Sequence, residues 1–330
     1  MKKNSEAIDI ILPSRIGDCI LSFPAMLCLK QLVEKFPEKN FKITIFSTNK
    51  LTEIIKALDF SEIKKFSNIQ KLKTIFNPSD KAVFLHTCMD NHGFFAKKTY
   101  GINITGKKIS YHNDMPYLYV DQTHKYLSEK LFNYLKEKYN FSTISISFFG
   151  TLLEIGFSPE EIMGNFEFNE NSLNFETELT DWKPEINNYI VMCMEAAYGS
   201  KGDADRRFNE ESYFEVAKNI YEKYGLKSAF IGIDDSRSLP NTDYIYDFRK
   251  KLIFTQTTQL MKHSMAYIGN DTGPMHLANL IKKPTLGIYS RETSMTTTYY
   301  PIFNNLNTQV LGFPPMDFVD NFCSKLVEKA

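Results

Sequence analysis

An excess of charge of either sign is missing from this chain. Over 330 residues, 39 Lys and Arg are matched by 39 Asp and Glu, so it lacks the basic surface that binding to a nucleic-acid backbone requires. Cysteines are few and scattered: Cys19, Cys28, Cys88, Cys193 and Cys323 are odd in number and never form a close pair. Neither a disulfide framework nor a zinc site is indicated, and a reducing cytoplasm is the expected compartment. No secretory leader is read, because the apolar run after Lys3 is broken by Asp9 ahead of Pro13. No stretch reads as an apolar run long enough to cross a bilayer. Short internal repeats and low-complexity tracts are lacking too.

What is present is a folded, patterned chain, with 43% hydrophobic and 24% charged residues, the balance of a globular protein. Its length suits two domains of roughly 150 residues each. "AIDIILPSRIGDCILSFPAMLCLKQLVEKF" reads as strand, loop and helix, with apolar spacing changing after Leu12. "FKITIFST", "LTEIIKALDF" and "KAVFLHT" follow as strand, helix and strand. This alternation implies an α/β domain with a parallel sheet covered on both faces. From about 121 to 165 the chain reads as helical, and the polar "NENSLNFETELTDWKPEINN" is taken as the linker.

Beyond it, "YIVMCME", "KSAFIGI", "MAYIGN" and "PTLGIYS" read as strands, with helices at "NEESYFEVAKNIYEKYG" and "TQTTQLMKHS". The expected division is residues 1–175, residues 176–312, and a final amphipathic helix within 313–330, which has the option of packing back on the N-terminal domain.

Three strand-to-helix turns carry candidate chemistry. In "YIGNDTGPMHLANLIKKPTLGIY" a buried strand gives way at Asp271, Thr272, Gly273 and Pro274 to a short helix containing His276. A helix N-terminus beyond the carboxyl end of a parallel strand is where open α/β sheets bind ligands, and its free amides favour an anion such as a diphosphate. The plainer alternative makes Asp271 a helix cap and His276 a core residue. In "SRIGDCILSFPAMLCLK", Asp18 falls in a first helical turn, facing a ligand or merely complementing the helix dipole. In "EAAYGSKGDADRRFNEESYF", the glycines with Lys201, Arg206 and Arg207 suit phosphate binding, or form a solvated loop.

Two further matches are weak. "GINITGKK" nearly fits a P-loop, but Lys108 stands where a Ser or Thr should bind Mg²⁺. Asp203 and Asp205 form an Asp-any-Asp pair of the kind used by metal-dependent transferases, without other metal-ligand spacing to support it.

Taken together, "GDCILSFPAMLCLK", the basic loop before "FNEESYF" and above all the Asp-Thr-Gly-Pro-Met-His-Leu-Ala run resemble the ADP-heptose:lipopolysaccharide heptosyltransferase family, glycosyltransferase family 9. The resemblance implies a GT-B fold of two Rossmann-like domains with parallel sheets facing a central cleft, the first for the acceptor and the second for the nucleotide-sugar. It implies an inverting transfer with no cofactor and no metal, in the cytoplasm or at the inner face of the membrane. Asp18 would be the catalytic base. Lys201, Arg206, Asp235, Asp271, Thr272, Gly273 and His276 would bind the nucleotide-sugar, with Asp234 the alternative to Asp235 at the ribose.

On the same resemblance, Arg15, Gly17, Lys97 and Lys98 would meet an anionic glycan or glycolipid acceptor; Lys107 and Lys108 are further candidates. The chain departs from the family pattern at Arg206, where Lys is usual, at Phe208–Asn209 in place of Trp-Pro, and at Arg291. A non-catalytic nucleotide-sugar-binding or glycan-assembly protein of the same fold, and a metal-dependent transferase using Asp203 and Asp205, are the alternatives.

Overall fold

The computed structural model describes residues 5–47, 52–56, 58–65, 67, 69, 72–73, 76–85, 96–102, 117–118, 127–169, 172, 180–195, 206–297 and 306–329. The chain divides into two compact units, Met1–Asn174 and Phe175–Ala330.

The first unit is built on β1 (Glu6–Ile11), β2 (Phe41–Ser47), β3 (Ile63–Lys65), β4 (Ser79–Leu85), β5 (Ala96–Ile102) and β6 (Tyr117–Leu118). These strands form a parallel sheet in the order β3-β2-β1-β4-β5-β6. Ile8, Ile10 and Ile11 are buried whichever face they point to, as expected of a central parallel strand covered by helices on both sides. Its helices are α1 (Ile16–Leu21), α2 (Phe23–Lys35), α3 (Thr52–Lys56), α4 (Glu129–Tyr139), α5 (Thr143–Ser147), α6 (Gly150–Ile155) and α7 (Pro159–Asn165).

The helical stretch of 121–165 predicted from sequence is thus, over its described part, four short helices with local stop and start signals. Ser128 caps α4 by accepting from Leu131 N, Asn140 ends it in the left-handed region, and Ser158 with Glu161 makes a capping box for α7. Phe141, Phe149 and Phe166 pack together beneath them, with ring centroids 5.4 to 6.2 Å apart.

One expectation is corrected here. The run Ile16–Lys35 is, by length and composition, long and apolar enough to cross a membrane. Phe23, Met26, Leu29 and Leu32 are fully buried in the first unit, so its apolarity is that of a core helix pair.

The second unit repeats the plan with β7 (Tyr189–Cys193), β8 (Lys227–Phe230), β9 (Ile245–Asp247), β10 (Ala266–Asn270), β11 (Thr285–Tyr289) and β12 (Thr308–Leu311). They pair in parallel in the order β12-β11-β10-β7-β8-β9. Read from the other edge this is the same order as in the first unit, the doubly wound arrangement of dinucleotide-binding folds. Its helices are α8 (Glu210–Tyr224), α9 (Phe254–His263), α10 (Gly273–Leu280), α11 (Glu292–Thr297) and α12 (Met316–Val327).

The C-terminal helix belongs to this second unit. Val319, Phe322, Cys323 and Leu326 of α12 join the core made by Ile190, Met192, Val216, Ile220 and Ile268. Burying four such side chains is worth roughly 5–10 kcal/mol before chain entropy is deducted. Asp320 accepts from Asn219 of α8 at 2.6 Å and pairs with Lys223. The apolar face of α12 is filled by the second unit.

Candidate active site

In a doubly wound sheet the crevice opens where successive crossovers leave the central strand in opposite directions. In the first unit that point lies between β1 and β4, and the segment beyond β1 carries three predicted residues. Arg15 occupies the N-cap position of α1 in extended conformation without a side-chain cap bond, and is exposed. Gly17 and Asp18 are half-buried in the first helical turn. Cys19 beside them is fully buried, and its thiol pKa is pushed up by that burial and by the Asp18 carboxylate, so it is no nucleophile.

Lys97 and Lys98 do not join this group. They stand near the start of β5, where Lys98 is level with Lys81 in the register, at the amino end of the sheet. Lys107 and Lys108 lie outside the described residues.

In the second unit the switch point lies between β7 and β10, which register from Ala266 opposite Ile190 to Gly269 opposite Cys193. Asn270, fully buried at the end of β10, joins the two sides: its Nδ2 donates to the Met194 carbonyl at 2.9 Å, and its Oδ1 accepts from the Tyr213 hydroxyl of α8. The chain then turns. Asp271 N donates to the Ile288 carbonyl at 2.9 Å, and Thr272 becomes the N-cap of α10 at φ −146° and ψ 174°.

The plain reading of this turn holds in part: His276 is buried as a core residue, but Asp271 is not the helix cap. The N-cap is Thr272, not Asp271, and no side chain caps the helix. His276 is 4% exposed, its Nδ1 has no hydrogen-bond partner among the described residues, and its Nε2 lies 3.6 Å from Asp271 Oδ1. That separation is within ion-pair range and beyond a hydrogen bond. Thr272 and Gly273 are half-exposed, so the first amides of α10 stand at the mouth of the crevice with the positive end of the helix dipole behind them.

Two paired glycines keep contacts close here, Gly269 between the strands and Gly287 beneath the helix. Gly269 pairs with Gly287 across β10 and β11. A Cβ at Gly269 would come within 2.5 Å of the Cys193 carbonyl oxygen and 2.6 Å of the Tyr267 hydroxyl; one at Gly287 would meet Met275 Sδ of α10 at 2.7 Å.

Beside this turn, within the same unit, a small open cleft is lined by Glu195, Arg207, Phe208, Asp234 and Arg249 among others. Glu195 accepts from Ile233 N at 2.6 Å and from Asp234 N at 3.0 Å. Burial pushes its carboxyl up, and those two amides pull it back. Gly232 makes room for it, since a Cβ there would fall 1.9 Å from Glu195 Oε1. Arg249, 2% exposed, donates from Nε and Nη2 to the two oxygens of Asp247, both at 2.9 Å. Burial works to raise the Asp247 pKa, but these bonds and the Arg249 charge hold it below the ordinary carboxylate value.

Predicted residues divide around this cleft. Asp234 lines it, with Oδ2 4.0 Å from Arg207 Nη1. Asp235 does not: it pairs with Lys250 at 2.6 Å, and that hydrogen bond holds its carboxyl low. Arg206 is half-buried three residues before the α8 N-cap Asn209, and it is the adjacent Arg207 that lines the cleft. Lys201, Asp203 and Asp205 lie outside the described residues. Among the described residues no group of three or more His, Cys, Asp or Glu is placed to hold a metal ion.

The reading of the sequence passed over Glu195, Asn270 and Arg249. Glu195 had a signal, a lone acid directly after the apolar run of β7. Asn270 had one as well, an amide closing a strand that is otherwise apolar. Arg249 had none, because its partner Asp247 sits on a strand too short to read.

The family model described as glycosyltransferase family 9 (heptosyltransferase) matches residues 105–323. The chain belongs to glycosyltransferase family 9. The match takes in the whole second-unit site from Glu195 to His276 and stops short of Asp18. No curated protein sequence matches the chain.

Solved structures of this family share the fold. A family 9 glycosyltransferase from Veillonella parvula superposes with a TM-score of 0.63 at 15% identity, covering 100% of this chain and 99% of its own. The ADP-heptose LPS heptosyltransferase II of E. coli gives 0.59 at 12% identity over 98% and 99% of the two chains. E. coli heptosyltransferase WaaC with ADP gives 0.58 at 12% over the same shares. The protein is therefore a glycosyltransferase of the heptosyltransferase family with the α/β, parallel-sheet architecture of its GT-B relatives.

Proposed function

We propose that this glycosyltransferase moves a heptose or related sugar from a nucleotide diphosphate sugar, an ADP-sugar first among them, to a lipopolysaccharide-core or similar anionic glycan, with inversion and without a metal ion. The observation that carries the reading is the uncapped N-terminus of α10 at the β7–β10 switch point, with Thr272 and Gly273 at its mouth. ADP-heptose and ADP are the ligands named for the two E. coli relatives, which supports the adenine base.

On this reading, Asp18 accepts the proton of the acceptor hydroxyl as its oxygen attacks the anomeric carbon, while Arg15 and Gly17 border the acceptor. The bond from that carbon to the diphosphate oxygen breaks, and its electron pair leaves with the diphosphate. The first amides of α10 and the helix dipole receive that charge, with Arg206 and Arg207, just ahead of α8, as the candidate cations. Asp271 and His276, buried behind the turn, hold it in place. The reaction takes place in the cytoplasm, at the inner membrane face.

The test is Asp18→Asn. A positioned general base contributes about 10²–10⁴ in rate, so transfer should fall by that factor while nucleotide affinity stays within about twofold. A fully active variant refutes the assignment. In the same assay, turnover should survive excess EDTA, and ADP should raise the melting temperature more than GDP, UDP or CMP.

A further inference from the structure

Glu195 stands just past the carboxyl end of the central strand β7, between two parts of the second-unit site. Its main-chain carbonyl lies 3.5 Å from Asn270 Nδ2 at the end of β10, and its side chain reaches the other way, to the loop after β8. There Oε2 accepts from Ile233 N at 2.6 Å and Oε1 from Asp234 N at 3.0 Å, a two-pronged clasp on consecutive amides. The space for it exists because residue 232 is glycine, where a Cβ would stand 1.9 Å from Glu195 Oε1.

A buried carboxylate is a poor way merely to finish a turn. Water satisfies two loop amides at a surface, whereas a carboxylate doing so gives up its own hydration. Glu195 is 9% exposed. Burial first, and the Asp234 charge with it, raise its pKa against the pull of the two amides and of Arg249. What the clasp fixes is the next carboxylate along. With its amide held, Asp234 turns Oδ1 to Ser236 N at 3.0 Å and leaves Oδ2 4.0 Å from Arg207 Nη1, and both residues line the cleft.

An acid at the end of the second strand of a doubly wound unit is where such folds meet a ribose hydroxyl. β7, α8 and β8 make that unit here, and Asp234 lines its cleft while Asp235 is held by Lys250. The ends of β10 and β8 lie two strand spacings apart, roughly 10 Å, with β7 and Glu195 between them. One nucleoside diphosphate bridges that distance from phosphate to ribose.

We propose that Glu195 is a positioning residue for the ribose of the donor: by clasping the amides of Ile233 and Asp234 it aims the Asp234 carboxylate at the ribose hydroxyls, while the α10 turn takes the diphosphate. This rests on the reading of the second unit as a nucleotide-sugar site, and adds how that site tells a ribose from a deoxyribose.

The experiment is calorimetric titration of the full chain with ADP and with dideoxy-ADP, which lacks both ribose hydroxyls. A hydrogen bond to a charged group is worth about tenfold or more in affinity, so the parent should bind ADP at least about tenfold more tightly than dideoxy-ADP. Glu195→Gln sets an amide donor against one of the two loop amides, and Gly232→Ala displaces the carboxylate while keeping its charge. In each variant the ratio should fall to about twofold or less through weaker ADP binding, with dideoxy-ADP held as the parent holds it. Asp234→Ala should give the same ratio, and adding Glu195→Gln to it should change ADP affinity no further, because the two residues act on one contact.

A merely structural Glu195 would weaken both ligands in step, and that result overturns the proposal. So does a parent that binds the two nucleotides equally, or a Glu195→Gln protein that keeps the parent's ratio; each leaves the diphosphate seat at α10 standing. Gly232→Ala, a change in a loop, carries the test if Glu195→Gln does not fold. A parent that binds neither nucleotide overturns the nucleotide-sugar reading itself, and this proposal with it.

Discussion

Asn270→Ala is the sharpest test of how the crevice is held open. The side chain has no access to solvent, and its removal leaves two buried partners unsatisfied, the Tyr213 hydroxyl and the Met194 carbonyl. An orphaned buried polar group costs about 1–3 kcal/mol, so the variant should lose about 2–4 kcal/mol. Tyr213→Phe orphans Asn270 Oδ1 and should cost about 1–2 kcal/mol on the same scale; the ring keeps its edge-on packing against Phe313 at 4.9 Å.

The double variant removes both ends of the bond, and should be less damaging than the sum by about 1–2 kcal/mol. Urea denaturation of all four proteins measures this coupling. Nucleotide affinity should fall in step, because the same amide ties the strand before the α10 turn to the residue before Glu195. Strictly additive losses, or a loss below about 0.5 kcal/mol for Asn270→Ala, would refute the argument that this amide joins the two sides of the switch point.

Gly269→Ala forces a methyl group against the Cys193 carbonyl oxygen at 2.5 Å and should destabilise by about 1–3 kcal/mol as an overpacked core site; calorimetry decides, and an unchanged melting temperature contradicts the close approach. Asp247→Asn leaves the Arg249 charge buried without its carboxylate, at a cost of about 2–3 kcal/mol after allowing for the partial exposure of Asp247. The folded-state pKa of Asp247 lies below its ordinary 3.8, so this stabilisation is fully present above that value and disappears as the pH falls through the lower one. Denaturation curves of parent and variant should therefore converge in acid.

The central strands were legible because burial on both faces writes them as unbroken apolar runs: β1, β7, β10 and β11 all read correctly. β3, β5, β9 and β12 were not read. "IKK", "AKKTYGI", "IYD" and "TQVL" lie toward the sheet edges and carry polar or charged residues, so periodicity has little to report. At the site, the strand-to-helix turn of residues 270–276 was read as a turn, but that Thr272 rather than Asp271 occupies the cap position needed the backbone angles. Asp234 and Asp235 differ by one position, and only the fold around Lys250 separates them. The lysines at 97 and 98 misled because β5 itself was unseen, so which end of the sheet they occupy was unknown.

Gly287, beneath α10, has an evolutionary corollary. A helix seated that low leaves no slack for a larger residue under Met275, so the strand-to-helix turn above it is held fixed. On the proposed function, variation in donor preference would fall to the cleft wall formed by Glu195, Arg207, Asp234 and Arg249. Those positions can change without re-laying the sheet, and a lineage retooling this scaffold for another base would accumulate its substitutions there.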